Sequence, residues 1–390
     1  MDNRRICVVT GGRADYGLLL PLLREIENEA KLTLQLIVSG SHLSKQFGLT
    51  VEAIEMDGIP IAARVDMLQE GDDSQAVSRS VASGIIGFSE AYEKLIPHIV
   101  IVLGDRFEIL AAATAAMISR IPIAHIHGGE VTEGAIDDVI RHGITKMAHL
   151  HFVSAEPYRQ RVIQLGEDPE KVFLVGAPGL DSLRILDFID RSSLETDLGI
   201  SLTPPVILVT YHPVTLQENF AEHGMMALCE ALEKFPQATI IITGVNSDPG
   251  HIRITRAIKE FADRYPKRVM MVESLGQCRY LSMMKIADVV VGNSSSGIIE
   301  APALAVPTVN IGNRQTGRLR ASSIIDCEEN VASISSAIDL ALSENFRKSI
   351  ATVSHQYGDG SASKQMVDIL STINMDGILI KKFFDLGQKT

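Results

Sequence analysis

Short apolar runs alternate with amphipathic stretches along most of the chain. The first run, RICVVTGG, has the length and β-branched content of a buried strand, and Tyr16 to Ala30 follows it with helical periodicity. LTLQLIVSG, HIVIVLGD, IPIAHIHGG, HLHFVSA and KVFLVGAP continue the series, with helical stretches between them. Strands that are apolar throughout and flanked by helices predict a parallel sheet covered on both faces. The alternation fades between Asp187 and Pro205, where DRSSLETDLGISLTPP is polar and rich in turn formers. That stretch predicts a connection between domains. A second series follows: PVILVTYHP, ATIIITGV, RVMMVES, ADVVVGNS, VPTVNIG and SSIIDC. The expected fold class is therefore α/β, with two Rossmann-like doubly wound domains at residues 1–187 and 188–365. Ser363 to Leu386 reads as a closing helix, and its apolar segment ILIKKFFDL is expected to pack back on another part of the protein.

Composition supports two domains, since 390 residues exceed the roughly 100–200 residues of one. Hydrophobic residues at 46% and charged residues at 22% leave room for a sizeable core in each half. With no Trp, a carbohydrate site built on stacked indoles is excluded. A net charge of −12 argues against a nucleic-acid surface, where phosphates require a basic face. It leaves a single nucleotide ligand open, because helix N-termini and a few Arg side chains hold one diphosphate. Cys7, Cys229, Cys278 and Cys327 form no CxxC pair, so neither a zinc knuckle nor a disulfide framework is expected. The first residues lack the form of a signal peptide, and no apolar run approaches the roughly 20 residues of a membrane span. The expected location is cytoplasmic.

In open parallel sheets ligands bind at the carboxyl ends of the strands, so the residues just after each apolar run carry most of the functional signal. Here these are Gly11-Gly12-Arg13-Ala14-Asp15-Tyr16, Ser39-Gly40-Ser41-His42, Gly104-Asp105-Arg106, His125-Ile126-His127-Gly128-Gly129-Glu130, Tyr211-His212-Pro213 and Asn293-Ser294-Ser295-Ser296-Gly297. GGRADYG allows close backbone approach and offers Arg13 to a phosphate, but Asp15 is equally suited to cap the next helix. GNSSSGIIEAP places three hydroxyls and a helix start after a strand, which suits a phosphate, and Glu300 a turn later suits ribose hydroxyls. One Ser alone would serve as a cap. GDRFE puts an acid and a base after a buried strand. HIHGGEVTEGAIDDVIRH is the densest cluster: His125, His127, Glu130, Glu133, Asp137, Asp138, Arg141 and His142. HExxH is absent and no third ligand is evident beside HxH, so acid–base work by carboxylates is the better functional reading than a metal. The bland alternative, a solvated first helical turn, applies to Asp138. His212 sits at the first strand end of the second domain.

Taken together and in order, GGRADYG, GDRFE, HIHGGEVTEGAIDDVIRHGITKMAHLHF, VTYHP, GNSSSGIIEAP and VNIGNRQTGR resemble the hydrolysing branch of the UDP-N-acetylglucosamine 2-epimerase family. The resemblance implies two domains of glycosyltransferase-B type facing a cleft, with the last helix, 366–390, crossing back to the first domain. It implies elimination of UDP across C1–C2 of the sugar, then hydration of the glycal with inversion at C2, giving N-acetylmannosamine for sialic-acid-type biosynthesis. It implies no metal or redox cofactor and a homodimer or homotetramer. Carried over by position, Asp105, Asp137 and His212 match catalytic residues, and Arg13 matches a diphosphate contact. Ser294, Ser295 and Glu300 match phosphate and ribose contacts, while Arg314 and Arg318 help hold the nucleotide. Asp15, Arg106, Arg141, Ser296 and Gly297 complete the expected substrate contacts. Many members carry a carboxylate where this chain has His127. Glu130 is therefore expected to supply the acid–base function, with His127 as a participant. The alternatives are the same reaction on UDP-N,N'-diacetylbacillosamine, a non-hydrolysing epimerase, a glycosyltransferase of the same fold, or a nucleotide-sugar sensor.

Overall fold

The computed structural model describes residues 3–71, 73–132, 135–212, 220–244, 251–350 and 356–387; Glu133 and Pro213 of the motifs above lie outside them. The chain divides into two compact units. Unit 1 comprises Met1–Glu130, Asp137–Arg184 and Tyr357–Thr390, and unit 2 comprises Val131–Ile136 and Ile185–Gln356.

Unit 1 holds seven strands: β1 (Arg4–Thr10), β2 (Leu32–Ser39), β3 (Ile61–Val65), β4 (Ile99–Leu103), β5 (Ile123–Ile126), β6 (Leu150–Val153) and β7 (Val172–Leu174). They form one parallel sheet in the order β3-β2-β1-β4-β5-β6-β7. Side chains alternate between its two faces, as a pleated strand requires. Ile6 and Val8 of β1 join Ile99 and Ile101 of β4 in one core layer, while Cys7 and Val9 join Val100 and Val102 in the other. Helices cover both layers, which is why residues 6–9 and Ile99–Leu103 are apolar without a break. β3 alternates half-buried and exposed residues up to buried Val65 and lies at the sheet edge, so it shows none of that continuous apolar signal.

Unit 2 repeats the plan with β8 (Val206–Thr210), β9 (Thr239–Thr243), β10 (Val269–Val272), β11 (Val289–Gly292), β12 (Thr308–Ile311) and β13 (Ile324–Cys327), in the order β10-β9-β8-β11-β12-β13. Ile207, Val209, Val289 and Val291 face one core layer; Val206, Leu208 and Val290 face the other. Each sheet therefore reverses direction once: between β1 and β4 in unit 1, and between β8 and β11 in unit 2. The reversal splays the following loops apart and opens a crevice at the strand ends.

Two sequence expectations change. The polar stretch before Pro205 is no simple linker. It contains the helix Arg191–Leu198, capped by Asp190, with Leu194 and Leu198 buried in the unit 2 core. Among the described residues, helical structure also ends at Thr372. The helix Ala362–Thr372 buries Ala362, Met366, Val367 and Leu370 in the unit 1 core, and Ile373 leaves it in an extended conformation. The remaining described tail is an irregular strap. Lys381 Nζ donates to the carbonyl of Lys146 at 2.8 Å and pairs with Glu167 at 2.7 Å, and the Phe384 amide donates to the Gly166 carbonyl at 2.9 Å. Backbone and charge anchors of this kind leave no helical periodicity, and Ile380 and Phe383 stay exposed.

Candidate active site

In unit 1 the polar groups gather at the ends of β1, β4 and β5. The loop after β1 is fixed by Asp15, whose carboxylate accepts from the Gly11 and Gly12 amides, each at 2.8 Å, and from Thr10 Oγ1 at 3.1 Å. Burial pushes the Asp15 carboxyl up, opposed by these bonds and by the Arg106 charge. Asp15, expected as a substrate contact, is committed inward and shapes the loop that presents Arg13 at the start of the helix Arg13–Asn28. Arg106 is tied in turn to Glu108, Nε to Oε1 at 3.1 Å. Glu108 is sealed at 1% exposure, its second oxygen has no hydrogen-bond partner, and burial raises its pKa. The sequence reading did not single out Glu108; an acid two residues after GDR was the available signal.

Beyond β4, the Asp105 carboxylate forms a close ion pair with Arg141 Nη2. Arg141 is buried and also donates to the Glu130 carbonyl at 2.9 Å and reaches Asp138 at 3.5 Å. Arg141, expected at the substrate, holds Asp105 and the turn after β5. Asp138, read as a solvated residue, is drawn into this network and lies 3.6 Å from His142. Asp137 lies in the first turn of the helix Ile136–Met147.

His125, the penultimate residue of β5, is fully buried. Its Nε2 donates to the Gly104 carbonyl at 2.8 Å, and Nδ1 lies 3.2 Å from Thr145 Oγ1. Desolvation drives its pKa down to about 3, so it is a neutral core residue. His127 is not on the strand: it follows β5 at φ +65°, outside the ordinary range for a side-chain-bearing residue. The two rings therefore do not share a strand face as HxH suggests. His127 Nδ1 makes a short hydrogen bond with Glu130 Oε1, and that oxygen also accepts from Ser154 Oγ at 2.8 Å.

In unit 2 the counterpart lies at β8 and β11. Asn293 is fully buried and clasps the backbone of His212: the His212 amide donates to Oδ1 at 2.7 Å, and Nδ2 donates to the His212 carbonyl at 2.9 Å. The Asn293 carbonyl accepts from Arg314 Nη1 at 3.1 Å and Gln315 Nε2 at 2.7 Å. Ser295 occupies the N-cap of the helix Ser296–Ala303 without a side-chain cap bond. Ser294 Oγ instead accepts from Ser296 Oγ at 3.0 Å, and Ser296 meets Tyr280 Oη at 2.6 Å. The serines thus form a hydroxyl network at a helix start, with Gly297 and Glu300 buried behind it. Arg318, expected at the nucleotide, donates to the Val131 carbonyl at 3.2 Å and reaches Thr132 Oγ1 at 3.5 Å, anchoring the 131–132 segment within unit 2. Asn293 and Gln315 were read only as parts of motifs; their roles depend on contacts distant in sequence.

Doubly wound units with polar clusters at their switch points define an α/β enzyme of the nucleotide-binding type. The profile of the UDP-N-acetylglucosamine 2-epimerase family matches residues 24–371, and the chain belongs to that family. It is 38% identical over 387 residues to a Campylobacter jejuni GDP/UDP-N,N'-diacetylbacillosamine 2-epimerase (hydrolyzing), covering 99% of this chain and 100% of that one. It is 34% identical to a Legionella pneumophila UDP-N,N'-diacetylbacillosamine 2-epimerase (hydrolyzing), covering 97% of this chain and 98% of the relative. Among solved structures, the UDP-GlcNAc 2-epimerase from Neisseria meningitidis bound to UDP-GlcNAc shares the fold, with a TM-score of 0.80, 18% identity and coverage of 94% of this chain and 99% of that one.

Proposed function

We propose that the chain is a hydrolysing 2-epimerase of a UDP-linked amino sugar and that its substrate is UDP-N,N'-diacetylbacillosamine. The motifs alone put UDP-N-acetylglucosamine first. The end-to-end similarity to two enzymes named for the diacetamido sugar carries the revised order. In this reading the β4 and β5 ends of unit 1 supply proton transfer, through Asp105 and the His127–Glu130 pair. The β8 and β11 ends of unit 2, with His212, Ser294 to Gly297, Glu300 and Arg314, bind the nucleotide. Helix-start amides and hydroxyls suit a diphosphate. The C2 proton leaves as UDP departs from C1, water adds to the glycal at C1, and C2 is reprotonated on its other face. The products are UDP and a free sugar epimerised at C2.

The test is proton NMR in deuterated buffer with EDTA, offering the two UDP-sugars together and separately. Free 2-epimerised diacetamido sugar carrying deuterium at C2, formed with the higher kcat/KM, supports the proposal. Preference for UDP-N-acetylglucosamine would establish the second reading, which the family profile favours as directly. A product still linked to UDP would indicate the non-hydrolysing reaction, and turnover only on adding an acceptor would indicate a transferase.

A further inference from the structure

We infer that His127 is the residue that takes the C2 proton, and that Glu130 positions it rather than acting on the sugar itself. The inference rests on the proposed reaction and deepens it. Of the two side chains, Glu130 is the more deeply sealed, at 2% side-chain exposure against 10% for His127. One Glu130 oxygen is taken up by two donors from within unit 1, His127 Nδ1 and the hydroxyl of buried Ser154. A carboxylate held this way has its work on the inner side of the imidazole. His127 presents the opposite geometry. With Nδ1–H donated to Glu130, a neutral ring carries its lone pair on Nε2. Among the described residues the His127 ring makes no hydrogen bond beside that of Nδ1 to Glu130, and the side chain keeps 10% exposure. This is the base-and-orienting-carboxylate relation that recurs on unrelated folds, in which the acid fixes the tautomer and steadies the imidazolium.

The backbone supports the assignment. His127 sits at φ +65°, a conformation costly for a residue with a side chain and kept only where the surroundings enforce it. The enforcement comes from the following turn. Gly129 has φ +79°, and a Cβ there would lie 2.4 Å from the Tyr158 carbonyl, so the turn is seated directly on the helix Glu156–Gln164. The positive φ turns His127 off the end of β5 and into its pairing with Glu130.

In the step proposed, Nε2 takes the proton from C2. The C2–H electron pair forms the C1=C2 bond, and the C1–O pair leaves with the β-phosphate oxygen of UDP. In hydration, the hydroxyl of water bonds to C1 while a second group takes that water's remaining proton and passes it to C2 from the opposite face, and the proton on His127 returns to solvent. Asp105, held by Arg141 and with 18% side-chain exposure, is the second group.

The test uses His127→Gly, because glycine accepts the positive φ and leaves an imidazole-sized space beside Glu130. We expect kcat to fall by about 10²-fold or more with KM changed little, and free imidazole to restore at least about 10-fold, the scale of a lost general base. Adding Glu130→Gln to that variant should abolish the restoration. His127→Asn, which also tolerates positive φ, serves if the glycine variant fails to fold, and should lose kcat alike. Near-normal turnover in either single variant overturns the assignment, as does a folded His127→Gly enzyme that binds UDP but gains nothing from imidazole. An arm independent of turnover is 15N NMR of the His127 ring in the full-length protein. The Nδ1–H tautomer is expected, and the Nε2–H tautomer overturns the pairing. If neither UDP-sugar is turned over, the proposed function fails, while the tautomer still decides the His127–Glu130 pair.

Discussion

Replacing Asn293 by Ala tests how unit 2 holds its switch point. The side chain makes two hydrogen bonds to the backbone of His212, at 2.7 and 2.9 Å, and Asn293 is fully buried while His212 is 7% exposed. Alanine leaves the His212 amide and carbonyl without those partners in a site closed to bulk water. Each buried polar group so orphaned costs about 1–3 kcal/mol, so the expected loss is about 2–6 kcal/mol. Asn293→Asp keeps the acceptor for the amide but sets a carboxylate oxygen where Nδ2 now faces the His212 carbonyl, and should cost at least as much as Ala. The assay is urea unfolding followed by far-UV circular dichroism, since the chain has no Trp to report by fluorescence. UDP affinity and turnover should fall in parallel, because the His212 backbone hangs on this side chain, whereas Arg314 bonds the main-chain carbonyl of residue 293, which both variants keep. A loss below about 1 kcal/mol in both variants, with UDP binding intact, would refute the reasoning.

Gly292→Ala should be worse than Asn293→Ala in soluble yield and urea midpoint. Gly292 has φ +140°, and an added Cβ would stand 2.0 Å from the Thr210 carbonyl, so the β8–β11 pairing must open. Acid should weaken the fold through buried histidines. His125, with its pKa driven down by desolvation to about 3, stays neutral when folded but protonates below its ordinary 6.5 once unfolded. Its contribution is therefore constant above that value and declines as pH falls from 6.5 toward 3, by about 1.4 kcal/mol per pH unit. Unfolding free energy measured across this window should lose that slope in His125→Gln. Glu167 works at lower pH. Burial raises its pKa, but hydrogen bonds from His151, Lys146 and Lys381 outweigh that and bring it from 4.5 to about 2. Its stabilisation is complete above 4.5 and is lost as pH falls toward 2. Lys381→Met removes the strap's hold on this carboxylate, and hydrogen exchange should quicken across residues 373–387 while β1 stays protected.

Sequence alone determined the doubly wound plan of both units. A strand segment buried on both faces is apolar along its length, and this is why the central stretches of β1, β4, β8, β9 and β11 and the second half of β2 stand out as runs. The strand-end rule then located Asp105, His127, Glu130, His212 and the serine triplet from their places after those runs. What sequence could not show depends on partners far along the chain. The edge strand β3 lacks a second buried face and left no run. Asp15, Arg141 and Arg318 are expected at the ligand because charged residues at strand ends suit ligands; the backbone and carboxylate groups that each of them holds are visible only in the tertiary structure. The irregular tail depends on Lys146, Gly166 and Glu167, which leave no trace in its own periodicity. The relation of His127 to Glu130 was decided last. Three residues of separation make the pair possible, but the positive φ of His127 and the seating of Gly129 on a neighbouring helix bring Nδ1 to Glu130 and leave His127 the less buried of the two.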